Sequence, residues 1–201
     1  MLLADAGITL AWQEPVSALI GARQQAVLED QLESEERALL AETADGDGEP
    51  SRQELEAAAE RAAERTGEGE ALGRLELPTL DREYVMVEGT DTATLRKGPA
   101  HYPDTALPGQ GRTVAVAGHR TTYGAPFRTI DKLRPGDEIV VSMPYARFTY
   151  EVERQRIVPP TETSVVDDVG HEQLVLSACH PLYSAAERLI VFARLAEAEP
   201  L

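Results

Sequence analysis

A mainly β fold, a closed barrel of seven to eight strands with short helices and an α-helical N-terminal arm, is predicted by three observations. From Leu72 onward, short apolar runs rich in valine, isoleucine and tyrosine are separated by breaks rich in proline, glycine and aspartate. No glycine-rich phosphate loop, internal repeat or long helical period interrupts this stretch, which favours a small barrel over an α/β sheet. The first seventy or so residues have the opposite texture, with helical periodicity, alanine and acid.

The arm is read as two helices. Pro15 opens a pattern that runs to about Glu42, with Val16, Leu19, Ile20, Val27, Leu28, Leu32, Leu39 and Leu40 at spacings of three, four and seven. That spacing predicts an apolar stripe on one face, with Glu29, Glu33 and Glu36 mostly solvating the other. Asp45-Gly46-Asp47-Gly48-Glu49-Pro50 breaks the pattern with turn chemistry. Ser51 then caps a second helix, with Glu54 at the capping-box position. This helix ends at Gly67. It has few large apolar residues and reads as a solvated spacer.

The barrel elements follow in order. Gly73–Leu77 and Tyr84–Glu88 read as short strands around a turn-like PTLDRE, and Thr90–Lys97 as a helical turn or two closed by Gly98-Pro99. His101–Gly111 is too broken by proline and glycine to be core. Arg112–Ala117 is apolar enough for a buried strand that stops at Gly118-His119. Ala125–Leu133 reads as a short helix. Glu138–Met143 and Arg147–Val158 form a hairpin around Pro144-Tyr145, and Leu174–Ala178 and Arg188–Leu195 complete the set.

Charge separates the two regions. Of 201 residues with a net charge of −16, residues 1–70 carry 17 acidic and five basic side chains, against 18 and 14 in the remainder. The acidity therefore belongs to the arm, and it disfavours nucleic acid and anionic lipid as partners. The single cysteine excludes an internal disulfide and leaves a free thiol. No Cys/His cluster has metal-ligand spacing, and Asp167-Asp168 lacks the spacing of a calcium loop, so no metal or cofactor is expected.

That thiol, Cys179, lies at the end of an apolar run which His180-Pro181 stops, where a nucleophile is open to substrate yet backed by a core. Arg188, nine residues on, offers a permanently charged donor to a developing oxyanion. His119, at the end of another apolar run, is the best candidate base. The bland alternative is a buried cysteine and packing histidines. His180 competes weakly for the role of base, since neighbours on an extended chain face opposite ways. Arg120 competes for the oxyanion role, and His101 either lines the site or sits in a surface loop. Thr121, Thr122 and Tyr123, which follow the histidine, are candidates to line a peptide groove. Ala178 and His180, which flank the thiol, are further candidates.

Four collinear stretches, GRLELPTL, GPAHYPDTALPGQ, VAVAGHRTTYGAPFRTIDKLRPGDEI and LSACHPLYSAAERLIVFARL, resemble the sortases, above all class E of actinobacteria. The resemblance covers roughly Leu72 to Leu195. It implies a sortase-like barrel over 72–201, with His119 as the family histidine, Cys179 the nucleophile and Arg188 the arginine. It also implies cleavage of a Thr–Gly bond in an LPxTG- or LAxTG-like sorting signal and transfer to an amine of peptidoglycan or a pilin. One departure stands out: the family reads Thr-Leu-x-Thr-Cys, whereas Val175, Leu176, Ser177 and Ala178 precede Cys179 here. The resemblance further implies an N-terminal membrane anchor and a place on the extracellular face. Met1–Trp12 is apolar but too short to span a bilayer, and lacks the basic start of a signal peptide. Residues 1–13 are accordingly expected to be the remnant of an anchor, and 14–71 an acidic helical stalk. A hydrolytic cysteine protease and a non-catalytic wall-associated module are the alternative readings.

Overall fold

The computed structural model describes residues 15–42 and 51–199. Helix α1 (Pro15–Glu42) and helix α2 (Arg52–Arg65) precede eight strands. These are β1 (Ala71–Leu77), β2 (Arg82–Glu88), β3 (Ala100–His101), β4 (Thr113–Gly118), β5 (Glu138–Met143), β6 (Ala146–Val158), β7 (Gln173–His180) and β8 (Glu187–Glu199). Around the closed barrel they follow the order β1-β2-β3-β4-β7-β8-β6-β5, and β1 pairs antiparallel with β5 to close it. Helix α3 (Thr92–Leu95), capped by the Asp91 carboxylate, lies in the crossover between the parallel strands β2 and β3.

Period-two alternation sorts the side chains of each strand. Leu174, Leu176 and Ala178 of β7 join Leu189, Val191 and Ala193 of β8 and Val114 and Val116 of β4 in the main core. The opposite parity, Ala115, Val175, Ile190 and Phe192, forms a second cluster on the outer face, covered by Val165 from the β6–β7 connection. Phe148 and Tyr150 are fully buried, and each such side chain contributes roughly 1.5–3 kcal/mol by leaving water.

The arm departs from the expected stalk. Ala59 of α2 is fully buried within the main core, with Leu55 and Ala62 packed against it, so this helix joins the barrel and is not a free spacer. Its capping box forms as the sequence predicts. Helix α1 lies along the β1–β2 side and buries only part of the expected stripe. Ser17, Gly21, Leu28 and Leu32 are buried, while Leu19, Ile20 and Val27 are exposed. The contact selects small and polar residues because backbone approaches closely and must be paired. Gln25 donates to the carbonyls of Val85 (3.0 Å) and Lys97 (2.9 Å) and accepts from the Val85 N–H (2.8 Å). Glu29 and Glu36 clasp Arg74 of β1, so part of the arm's acidity is spent on the barrel.

Two further expectations are corrected. Residues 125–133 form turns, with a 3-10 segment only at Ile130–Lys132. Side chains take the carbonyls a helix would use: Arg120 bonds that of Arg128, and Gln155 those of Ile130 and Leu133. His101 is neither a site residue nor a surface one. It is buried in β3, with Nδ1 2.8 Å from Glu88 and Nε2 2.9 Å from the Ala106 carbonyl. No helix among the described residues is long and apolar enough to cross a membrane, and the expected anchor remnant, 1–13, lies outside those residues.

Candidate active site

Strands β4 and β7 run parallel, in register from Thr113 with Gln173 to Gly118 with Ala178. Parallel strands finish at the same edge, so His119, the residue after β4, stands level with Cys179 near the end of β7. Strand β8 runs antiparallel to β7 and pairs Arg188 with Cys179. Directly opposed residues share a face. Cys179 and Arg188 continue the outer-face parity of Val175, Phe192, Ser177 and Ile190, so both project from the outer wall of the barrel. Both are half-buried.

Gly118 sets up His119. A Cβ there would lie 2.5 Å from the Phe127 ring, which plugs this end of the barrel, while Phe127 donates its N–H to the His119 carbonyl (3.0 Å). Burial, and then the positive charge of Arg96, push the His119 pKa below its ordinary value of 6.5. Its Nε2 is buried and has no partner among the described residues. A ring nitrogen in that condition suits proton exchange with a bound reactant.

Arg120 and His180 turn away from this face. Arg120 is almost fully buried, donates to Asp131 Oδ1 (2.8 Å) and the Arg128 carbonyl (3.2 Å), and lies 3.2 Å from His180 Nδ1. A guanidinium only donates, so His180 accepts through Nδ1. The pair ties the end of β7 to the 128–131 loop, leaving Arg120 committed to structure. Ala178 points into the core, so its side chain does not line the site. The other replaced threonine position, Val175, is buried in the outer-face cluster. The departure from the family pattern therefore falls on both sides of β7, with Val175 on the same face as Cys179 but four residues from it and buried, and Ala178 on the core face. Thr121 and Thr122 are half-buried in the turn after His119, where the Thr122 carbonyl accepts from Ala125 N–H (2.8 Å). Tyr123 stacks obliquely on His119, with ring centroids 5.3 Å apart. Arg188 Nη1 donates to the Ala185 (3.1 Å) and Glu187 (3.0 Å) carbonyls of the β7–β8 loop. Among the described residues no group of three or more His, Cys, Asp or Glu is placed to hold a metal ion.

The sortase-domain family model matches residues 75–196, the barrel from β1 to the far part of β8. The chain belongs to the sortase family. It is 35% identical over 131 residues to Sortase D of Bacillus subtilis, covering 63% of this chain and 64% of that protein. It is 33% identical over 148 residues to Sortase SrtE1 of Streptomyces coelicolor, covering 66% and 42%. The chain thus spans less than two thirds of the length of these curated relatives. Among solved structures, Sortase E1 of S. coelicolor with a tripeptide in its active site aligns with a TM-score of 0.64 at 30% identity, over 67% of this chain and 93% of that one. The SrtF sortase of Corynebacterium diphtheriae aligns with a TM-score of 0.64 at 31% identity, over 68% and 89%.

Sequence reasoning missed Arg96 and the role of α1. Neither carries a local signal, because Arg96 lies in a polar turn and the first half of the buried face of α1 is written in Ser17, Gly21 and Gln25, with large apolar residues only at Leu28 and Leu32.

Proposed function

We propose that this sortase is a cysteine transpeptidase that cleaves the Thr–Gly bond of an LPxTG- or LAxTG-like sorting signal. Cys179 passes its proton to His119 as its sulfur attacks the threonine carbonyl carbon, and the oxygen gains negative charge opposite Arg188. The C–N bond breaks, His119 gives a proton to the leaving glycine nitrogen, and a thioester to Cys179 results. An incoming amine then attacks that thioester and gives its proton to His119, which returns it to the departing Cys179 sulfur. The amine belongs to peptidoglycan or a pilin subunit.

One observation carries this reading: parallel β4–β7 and antiparallel β7–β8 pairing set His119, Cys179 and Arg188 level at one edge of the barrel. The tripeptide held by the active site of the S. coelicolor neighbour supports a peptide substrate. Thr121, Thr122 and Tyr123 are assigned to the mouth of the site. Sortases work at the cell surface, which supports the extracellular face, with residues 1–13 and the 14–71 arm on the membrane side of the enzyme.

Mass spectrometry of the protein with LAxTG and LPxTG peptides and a glycine-based amine, beside Cys179→Ala, tests the proposal. An amine-linked product lost in the variant is expected. Hydrolysed peptide alone would make the enzyme a protease. A folded protein whose Cys179 never acylates would make it a binding module.

A further inference from the structure

The Tyr123 ring contacts two groups. His119 is 5.3 Å away between centroids. The Arg96 guanidinium, at the end of α3, is 5.4 Å from the ring centroid. The backbone of Tyr123 is held by α1. Ser17 Oγ accepts the Tyr123 N–H (3.3 Å), and a Cβ on Gly21 would meet the Tyr123 carbonyl carbon and oxygen at 2.9 Å. Tyr123 also has a left-handed φ of 51°, which a tyrosine adopts only where its surroundings enforce it.

We propose that Tyr123 is a positioning residue for His119, and that Arg96 and helix α1 together set Tyr123. The role in catalysis rests on the proposed acid–base function of His119; the stack itself does not. A cation above a tyrosine face favours that ring position, and the ring in turn restricts the imidazole. The charged and titratable groups around His119 are Arg96 from the β2–β3 crossover, Tyr123 from its own loop, and Cys179 and Arg188 on the adjacent strand ends. Arg96 is exposed and Tyr123 half-buried, so both can be changed without opening the core. Helix α1, read from sequence as part of a stalk, thereby becomes part of the apparatus that shapes the site.

The test combines NMR titration of the His119 ring, identified by its loss in His119→Asn, with kinetics of Arg96→Gln, Arg96→Lys, Tyr123→Leu and Gly21→Ala. Arg96→Gln is expected to raise the His119 midpoint, since it removes a neighbouring positive charge, and Arg96→Lys to restore it. Tyr123→Leu and Gly21→Ala are expected to lower kcat about tenfold with KM little changed, the signature of a reacting group out of place. Gly21→Ala should do so with a modest loss of thermal stability, since the gain in helix propensity is set against a Cβ placed 2.9 Å from the Tyr123 backbone. An unmoved His119 titration in Arg96→Gln, or a Tyr123→Leu effect confined to KM, would overturn the proposal. The titration reads His119 whether or not the enzyme transfers peptide, so failure of the proposed function is seen separately, as a parent protein without transfer product.

Discussion

The two ends of β7 treat buried polar chemistry in opposite ways. Before its first residue, Glu172 is buried with both carboxylate oxygens paired. Gly109 N–H (3.0 and 3.1 Å), Gly111 N–H (2.9 Å) and Tyr150 O–H (2.8 Å) all donate to it. The left-handed φ values of Gly109 and Gly111, 93° and 69°, turn those amides inward, which a side chain there would oppose. Beyond the far end, His119 Nε2, Arg120 Nε and Arg128 Nη1 are buried without a partner among the described residues. Tyr123, Ala125 and Tyr183, three of the four non-glycine residues with left-handed φ among the described residues, cluster there too. Buried polar groups are normally satisfied, and departures gather where a ligand or reaction completes them. One strand thus joins a pole whose buried polar groups are paired to a pole where three buried nitrogens are not, beside the proposed site.

The largest effect that would sharpen this contrast is Cys179→Ala. Complete loss of thioester and transfer product is expected, with the thermal midpoint nearly unchanged because the thiol is half-buried at a strand end. Residual transfer in that variant would remove the nucleophile from the proposal. Glu172→Ala should do the reverse. It strands two amide donors and a tyrosine hydroxyl in the core, at a cost of roughly 3–5 kcal/mol. Denaturant titration should show that loss, while activity per folded molecule stays near that of the parent. An activity loss larger than the folded fraction explains would break the separation of the poles.

Arg120→Met comes next, because it tests a residue that belongs to both descriptions. It removes the bonds to Asp131 and the Arg128 carbonyl and the contact with His180, while keeping most of the volume. Arg120 Nε is already unpaired, so the expected cost, about 2 kcal/mol, is smaller than at Glu172. Catalysis should fall beyond that, since the pair with His180 anchors the residue after Cys179. Chemical denaturation and single-turnover acylation measured together would separate the two losses.

The contrast also explains what was legible in the sequence. Strand runs and the Cys179, His119 and Arg188 positions could be read directly, because period-two alternation and chain breaks are local. The strands of seven or eight predicted from those runs are eight in the structure, and only β3 was hidden, in a two-residue pairing too short for any periodicity. The Glu172 knot could not be read, because it gathers residues from three distant segments and uses glycine amides that have no side-chain signature. The apolar stripe of helix α1 was read correctly at Leu28 and Leu32 but not at Leu19, Ile20 and Val27, because close backbone contact selects Ser17 and Gly21 where periodicity analysis counts large apolar residues. Ala125–Leu133 has helical composition, but its carbonyls are claimed by Arg120 and Gln155 from elsewhere in the fold. Local rules held wherever local chemistry decided the conformation, and they failed where long-range polar partners did.

The smallest effect concerns pH, and it bears on the unpaired pole alone. Burial first, and the Arg96 charge second, lower the His119 pKa in the folded chain below 6.5. The unfolded chain therefore binds a proton at His119 before the folded chain does, and stability falls with falling pH between the unfolded and folded values. Below the folded value this contribution levels off, and above 6.5 it vanishes. The slope should be shallow, because His119 is only half-buried and solvent screens part of the interaction. His119→Asn should flatten the stability profile just below pH 6.5 and leave it unchanged above. Glu172→Gln should not affect that window, since its group lies at the other pole. A profile that steepens only near the carboxylate range in both proteins would mean that the folded chain protonates His119 as easily as the unfolded one. The unpaired Nε2 would then be open to water and not held for substrate.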